Sequence, residues 1–315
     1  MKRNKTFEQF VSQIGSKITP SKRKVKNSIE KIENDLFDYT KKAGLDSLVL
    51  GVSGGLDSAV VAAIASRVCK KLNIKLIGIS IPLSSTNSHK EQARWVGETY
   101  CDAFDEISSW EEDFYEVNKT AHEMVSYVVS TTDRVAAKAG FDTNNFDRSI
   151  EQANIKSRLR MITLYALAKN TNGMVLGTGN WSEDHAIFFY TLGGDGQVDY
   201  SPIKGVGKGF EMPIFAEELG IRKDIIEQNP SDGLKVSTED TDEAQIGASY
   251  KEIDIIIGCY KKMFNEDILN EFESYIDNEK VKKVILRHNK FKYKENGEIS
   301  IEKGSNGLPI DYKTI

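Results

Sequence analysis

Residues 48–58 read LVLGVSGGLDS, and the six from Ser53 to Ser58 combine residue types best suited to holding a phosphorylated ligand. An apolar run over 48–52 predicts a buried strand, and the Ala/Val-rich run over 59–72 predicts the helix that follows. Gly54 and Gly55 allow a backbone to approach a ligand with no Cβ in the way. Ser53 and Ser58 add hydroxyl donors, and the first N–H groups of the new helix have no partner inside it, so they face an anion. The pattern is a phosphate cradle, distinct from the GxxxxGK[ST] loop because no lysine precedes the serine. Asp57 makes sense beside phosphates if it holds a cation that bridges them. Out of context the same string also fits a strand–turn–helix whose glycines only make the turn; the surrounding pattern favours the cradle.

The elements that must position this loop alternate along the chain. A second strand is expected over 76–81 with a helix over 90–100, and a helix over 149–169 precedes a third clear strand over 174–176. Strands alternating with helices of this length imply an α/β protein, a doubly wound parallel sheet flanked by helices. Ile29, Ile32, Leu36 and Phe37 mark an earlier amphipathic helix closed by Gly44. Residues 1–26 carry eight Lys or Arg against one acid, Glu8, with Phe7, Phe10, Val11, Ile14 and Ile18 at helical spacing. That segment reads as an amphipathic helix docked on the body or as a targeting presequence; lysine dominates where presequences favour arginine. Residues 110–150 give no clear assignment, 227–249 read as a surface loop, 254–286 as helical, and 288–315 as a tail. Three parts result: a basic segment 1–26, a catalytic unit 27–286 and a tail 287–315.

Composition excludes several classes. A formal net charge of −5 gives no general electrostatic case for nucleic acid or an anionic membrane surface, and no apolar run is long enough for a membrane span. Cys69, Cys101 and Cys259 are scattered without a CxxC pair, which argues against a zinc site or disulfide framework and suits free thiols in a cytoplasm. The four histidines are equally dispersed, so a metal would be held by oxygen, which suits magnesium.

The SGGLDS string resembles the pyrophosphate-binding loop of the ATP pyrophosphatases, which cleave ATP between its α- and β-phosphates and transfer AMP to an acceptor oxygen. Further segments resemble the NAD synthetases of that superfamily. They are NIKSRLRMITLY at 154–165, GTGNWSEDHAIFF at 177–189, GGDGQVDYSPI at 193–203 and PSDGL at 230–234, followed by Asp242-Glu243 and the run to Ser249-Tyr250. The resemblance covers roughly residues 27 to 260 in consistent order and implies the adenine nucleotide alpha-hydrolase-like fold. It departs from the common pattern at Leu192 (a lysine in many members), at Ser80 (an arginine in many bacterial ones) and at Asp232 (often alanine).

The resemblance implies ATP and deamido-NAD as substrates, Mg²⁺ as the metal, and ammonia as nitrogen donor, with AMP and pyrophosphate released. It assigns Gly51, Ser53, Gly54, Gly55, Asp57, Ser58, Thr178, Lys208 and Ser231 to ATP. Asn154, Arg158, Arg160, Phe188, Asp195, Asp199 and His288 go to the dinucleotide, and Asp57 and Glu183 to the metal. Read without it, Arg158 and Arg160 point to different helix faces, Asp195 reads as a turn residue, Phe188 and Phe189 as core, and Glu183 as able to pair with His185. Catalysis then rests on positioning and charge, with no side-chain nucleophile and no room for a glutaminase domain. The resemblance further implies a homodimer, and residues 229–241 and the tail have the composition of lids over a water-sensitive adenylate. Rival readings are a related adenylating enzyme, such as a GMP synthetase or tRNA-modifying ligase, and a nucleotide sensor without turnover.

Overall fold

The computed structural model describes residues 5–82, 86–107, 134–135, 137–140, 148–231 and 241–296. Of the segments expected to act as lids, 229–241 and the tail, residues 232–240 (Asp232 among them) and 297–315 lie outside the described residues, as does most of 110–150.

Four parallel strands form the sheet in the order β3-β2-β1-β4: β1 Ser47–Gly51, β2 Lys75–Ser80, β3 Ala103–Glu106 and β4 Gly173–Leu176. β1 lies in the middle and alternates its burial between two layers. Leu48 and Leu50 join Val60, Ile64 and Val68 of α3 (Leu56–Leu72) with residues of α2 (Lys22–Ala43), α4 (Asn87–Tyr100) and α6 (Met212–Leu219). Val49 turns to the other face, where it packs with Val175 against Met161, Leu164 and Ala168 of α5 (Arg148–Asn170). Covering both faces is what a parallel sheet with long crossovers requires, and the doubly wound expectation holds.

β3 was not foreseen. It is an edge strand of four residues, AFDE, with alternating exposure and no apolar run to mark it. The helical stretch expected over 254–286 divides into α9 (Tyr250–Tyr260), α10 (Glu266–Glu273) and α11 (Glu279–Phe291), with Asn265 and Asn278 accepting the first N–H groups of the last two. The boundary at 286/287 falls inside α11, which a 3₁₀ turn, Lys292–Asn296, follows. The boundary at 26/27 falls inside α2, which begins after its N-cap Ser21 and ends at Gly44 in the left-handed conformation, φ 64°. The remaining short helices are α7 (Lys223–Ile226) and α8 (Asp242–Ile246).

The basic first segment docks. α1 (Phe7–Ile18) begins with a reciprocal cap between Thr6 and Gln9 and buries Phe7, Phe10, Val11 and Ile14. These side chains join Ile253, Ile256 and Ile257 of α9, Phe272 of α10 and Val281 and Val284 of α11 in a second, all-helical core. Among the described residues no helix is long and apolar enough to cross a membrane.

Candidate active site

The loop after β1 turns at Gly54, whose φ of +84° is the left-handed region. A Cβ there would overlap the backbone carbonyl of His89 in α4. The glycine is required by the packing of α4, and its neighbours Ser53 and Gly55 line the cavity. Gly55 caps α3 without a side-chain hydrogen bond, leaving the helix start open toward the cavity. Ser58 Oγ donates to the Gly55 carbonyl at 2.9 Å, and Ser53 Oγ accepts from Gly55 N–H at 3.2 Å, so both hydroxyls brace the turn.

The cavity holds about 620 Å³, ordinary for a small-molecule site. It opens beyond the C-terminal ends of β1, β2 and β4, where ligands of doubly wound sheets bind. Its wall brings together Gly51, Ser53, Gly55, Asp57, Ser58, Thr178, Glu183, Lys208 and Ser231 with Arg160 and Asp195. Buried Ser80, at the arginine departure, also faces it.

Other residues expected at the dinucleotide have partners within the protein. Arg158 donates to the Leu192 carbonyl at 3.0 Å, and Asn154 Oδ1 accepts from Thr191 Oγ1 at 2.8 Å. Asp199 accepts from Val175 N–H at 2.8 Å and so holds β4. Asp195 is braced by Ser157 Oγ at 2.6 Å and by Thr191 N–H at 3.1 Å. Phe188 and His288 lie in the core, 1% exposed each, with ring centroids 5.3 Å apart. Phe188 ends a π-helical turn, Ser182–Ile187, at φ 53°, which sends its ring inward and leaves Phe189 on the cavity wall. The ring able to meet a ligand is therefore Phe189.

The charged centre is more elaborate than two carboxylates. Lys208 Nζ lies 2.9 Å from Asp57 Oδ2, 2.6 Å from Glu183 Oε1 and 3.8 Å from Asp242 Oδ2. Tyr250 hydroxyl stands 2.8 Å from Glu183 Oε1 and 3.0 Å from Asp242 Oδ2, and its ring centroid is 4.5 Å from the ammonium. Asn180, fully buried, donates to Asp57 Oδ1 at 3.3 Å while its own Oδ1 accepts from Glu183 N–H at 3.0 Å. Burial disfavours the charged form of Lys208, but the three carboxylates outweigh it and hold its pKa above the usual range. Burial pushes Asp57 up; Lys208 opposes that, and Glu183 adds to it.

The lysine is aimed by its flanks. Lys208 N–H donates to Ser182 Oγ at 2.8 Å, Gly209 N–H donates to Asp254 Oδ2 at 2.9 Å, and Ser182 Oγ in turn donates to Asp254 Oδ1. A Cβ on Gly209 would come within 2.7 Å of the backbone of Lys251, so the turn lies tight against α9. Asn180, Tyr250, Asp242 and Asp254 had no individual role in the sequence reading; the first three lie inside the matching strings, and their polar types were the available signal.

Among the described residues no group of three or more His, Cys, Asp and Glu side chains is arranged to hold a metal. The donor chemistry nevertheless fits magnesium. Asp57, Glu183 and Asp242 offer hard oxygens, and three carboxylates around one ammonium leave surplus negative charge.

The model of the NAD synthase family matches residues 28–297. The chain is 33% identical over 233 residues to the NH(3)-dependent NAD(+) synthetase of Alkaliphilus oremlandii, covering 73% of this chain and 84% of that one. It is 34% identical over 229 residues to the enzyme of the same name from Carboxydothermus hydrogenoformans, covering 71% and 82%. The solved structure of NMN synthetase from Francisella tularensis superposes with a TM-score of 0.64 at 23% identity, covering 88% of this chain and 98% of that one, a likeness of fold. The parallel sheet between helices has the adenine nucleotide alpha-hydrolase-like architecture expected of such proteins. With the family's pattern spanning nearly all the described catalytic elements, the chain belongs to the NAD synthase family.

Proposed function

We propose that the chain amidates deamido-NAD to NAD with ATP and ammonia. The observation that carries this reading is one cavity uniting the 53–58 loop, Thr178, Glu183 and Lys208 with Arg160, Asp195 and Phe189, in a member of this family. The nicotinate carboxylate attacks the α-phosphorus of ATP; the bond to the β-phosphate bridging oxygen breaks, and pyrophosphate leaves. Ammonia then attacks the carbonyl of the acyl adenylate, AMP departs, a proton is lost and the amide remains.

In the first step the open start of α3 receives the departing phosphates. Arg160 contributes positive charge from α5, and Phe189 offers a face for the nicotinate ring. Asp195, fixed by Ser157 and on the cavity wall, offers its carboxylate to a ribose hydroxyl. Magnesium would be held by Asp57 and Glu183, and it supplies neutralisation of phosphate charge. No step demands a side-chain nucleophile.

The exposed Ile162 and Tyr165 on the outer face of α5 support a homodimer, checked by light scattering of the purified protein. The thiols of Cys69, Cys101 and Cys259 are free, which supports a reducing compartment such as the cytoplasm.

The test supplies ATP, Mg²⁺ and ammonium with deamido-NAD, nicotinate mononucleotide or xanthosine monophosphate in turn. Equal release of NAD, AMP and pyrophosphate with deamido-NAD is the expected result. Faster AMP release with another acceptor would overturn the reading.

A further inference from the structure

Lys208 and a divalent cation need the same oxygens. The ammonium is shared by Asp57 Oδ2 and Glu183 Oε1 at 2.9 and 2.6 Å, which are full charge-assisted contacts. Its side chain is only 10% exposed, and its partners Asp57 and Glu183 are 15% exposed each, so water screens the cluster weakly. Asp242, at 3.8 Å and 4% exposed, adds a third carboxylate, and the Tyr250 ring lies against the ammonium. An ammonium presents only donors and a carboxylate only acceptors, so Lys208 neutralises this cluster as a metal would.

Resting on the metal reading above, we propose that Lys208 is a built-in competitor of the divalent cation, which yields the carboxylates when the triphosphate of ATP offers its ammonium other oxygens. Asp57 Oδ2 and Glu183 Oε1 cannot serve a cation while the ammonium holds both at hydrogen-bonding distance. Without nucleotide, releasing Lys208 would strand a buried charge away from its partners, which is costly. With nucleotide, phosphate oxygens replace the carboxylates as its acceptors, and the carboxylates become free to take the metal. Metal and ATP therefore bind with positive coupling through one side chain. By linkage, each tightens the other to the same degree. The exchange keeps cation loading dependent on the presence of the substrate it must neutralise.

The experiment measures Mn²⁺ affinity of the full chain by water-proton relaxation, with and without an ATP analogue carrying a methylene bridge between the α- and β-phosphorus. Lys208→Met removes the charge and keeps most of the stem. Without nucleotide, this variant is expected to bind Mn²⁺ about tenfold more tightly than the parent protein, within the usual range of site coupling. The further gain on adding the analogue should be smaller in the variant. Circular dichroism verifies folding, and Lys208→Gln, with the same expectation, replaces a Met variant that does not fold. Equal Mn²⁺ affinity of variant and parent without nucleotide, with binding that still depends on Asp57, would overturn the exchange and leave the metal reading standing. Mn²⁺ binding indifferent to Asp57→Asn both with and without the analogue would overturn the metal reading and the exchange with it.

Discussion

Asp57 and Lys208 meet at 2.9 Å on the cavity wall, one from the first turn of α3 and the other from a glycine-flanked turn before α6. The carboxylate of the loop is thus in an ion pair and also belongs to a cluster with Glu183. Replacing Asp57 by Asn, or Glu183 by Gln, keeps shape and removes one charge. Adenylation, followed as pyrophosphate release, should fall by at least two orders of magnitude, about 1.4 kcal/mol per tenfold. Calorimetric binding of ATP without metal should change much less. Near-normal adenylation by Glu183→Gln at limiting magnesium would remove Glu183 from the metal site.

The two loop glycines should separate cleanly. Gly54→Ala places a methyl against the His89 carbonyl at a left-handed φ, and a lowered melting temperature is expected from a strain of about 1–3 kcal/mol. Gly55→Ala meets only Ser53 Oγ at 3.4 Å, so its melting temperature should stay close to the parent's while KM for ATP rises. A Gly54→Ala protein as stable as the parent would contradict the tight contact with α4.

Neighbouring phenylalanines are expected to differ in kind. Phe188→Ala empties a core position beside His288 and should cost about 3–5 kcal/mol of stability in a denaturant titration. Phe189→Ala acts on the cavity wall and should raise KM for deamido-NAD. An unchanged KM with loss of stability would show that Phe189 serves only Arg287, whose guanidinium lies 5.2 Å from its ring centroid.

Turnover should use ammonia and fail with glutamine as sole donor in an ammonia-free preparation. Burial pushes Cys69, Cys101 and Cys259 each up to about 12, the opposite of an activated amidohydrolase thiolate. Efficient glutamine-driven NAD formation by the purified chain, abolished on changing one of these cysteines, would refute this.

Asp254 gives a pH signature in stability. Burial pushes it up to about 7, although Ser182 and the Gly209 N–H favour its charged form. Between the ordinary aspartate range and about 7 the folded chain binds more protons than the unfolded one. This group's stabilisation is therefore fully present at low pH and lost as pH rises through about 7. Asp254→Asn removes the titration, so its stability deficit against the parent should shrink as pH rises from 5 to 8 in thermal melts. A constant deficit would place the folded-state pKa of Asp254 near that of the unfolded chain.

Local signals accounted for the central part of the fold. The apolar runs of β1, β2 and β4 and the amphipathic spacing of α1 and α2 are readable because each buries a periodic set of side chains. The edge strand β3 buries none of its four residues and so carries no such pattern. The breaks between α9, α10 and α11 hinge on single residues: Lys262 at φ 55°, and the caps Asn265 and Asn278. Such residues end helices without disturbing the apolar average around them.

By itself the sequence determined the chemistry of the phosphate-type loop, the alternation that makes a parallel sheet, and the strings that mark the family. A residue's type and its nearest neighbours in the chain carry those properties. Only the tertiary structure decided that Phe189 and not Phe188 faces the cavity, that Gly54 answers to α4, that Asp199 holds a strand, and that Lys208 joins Asp57 to Glu183. These follow from how separate layers pack: contacts between distant segments are set by the rotation and approach of whole elements, which no local spacing encodes.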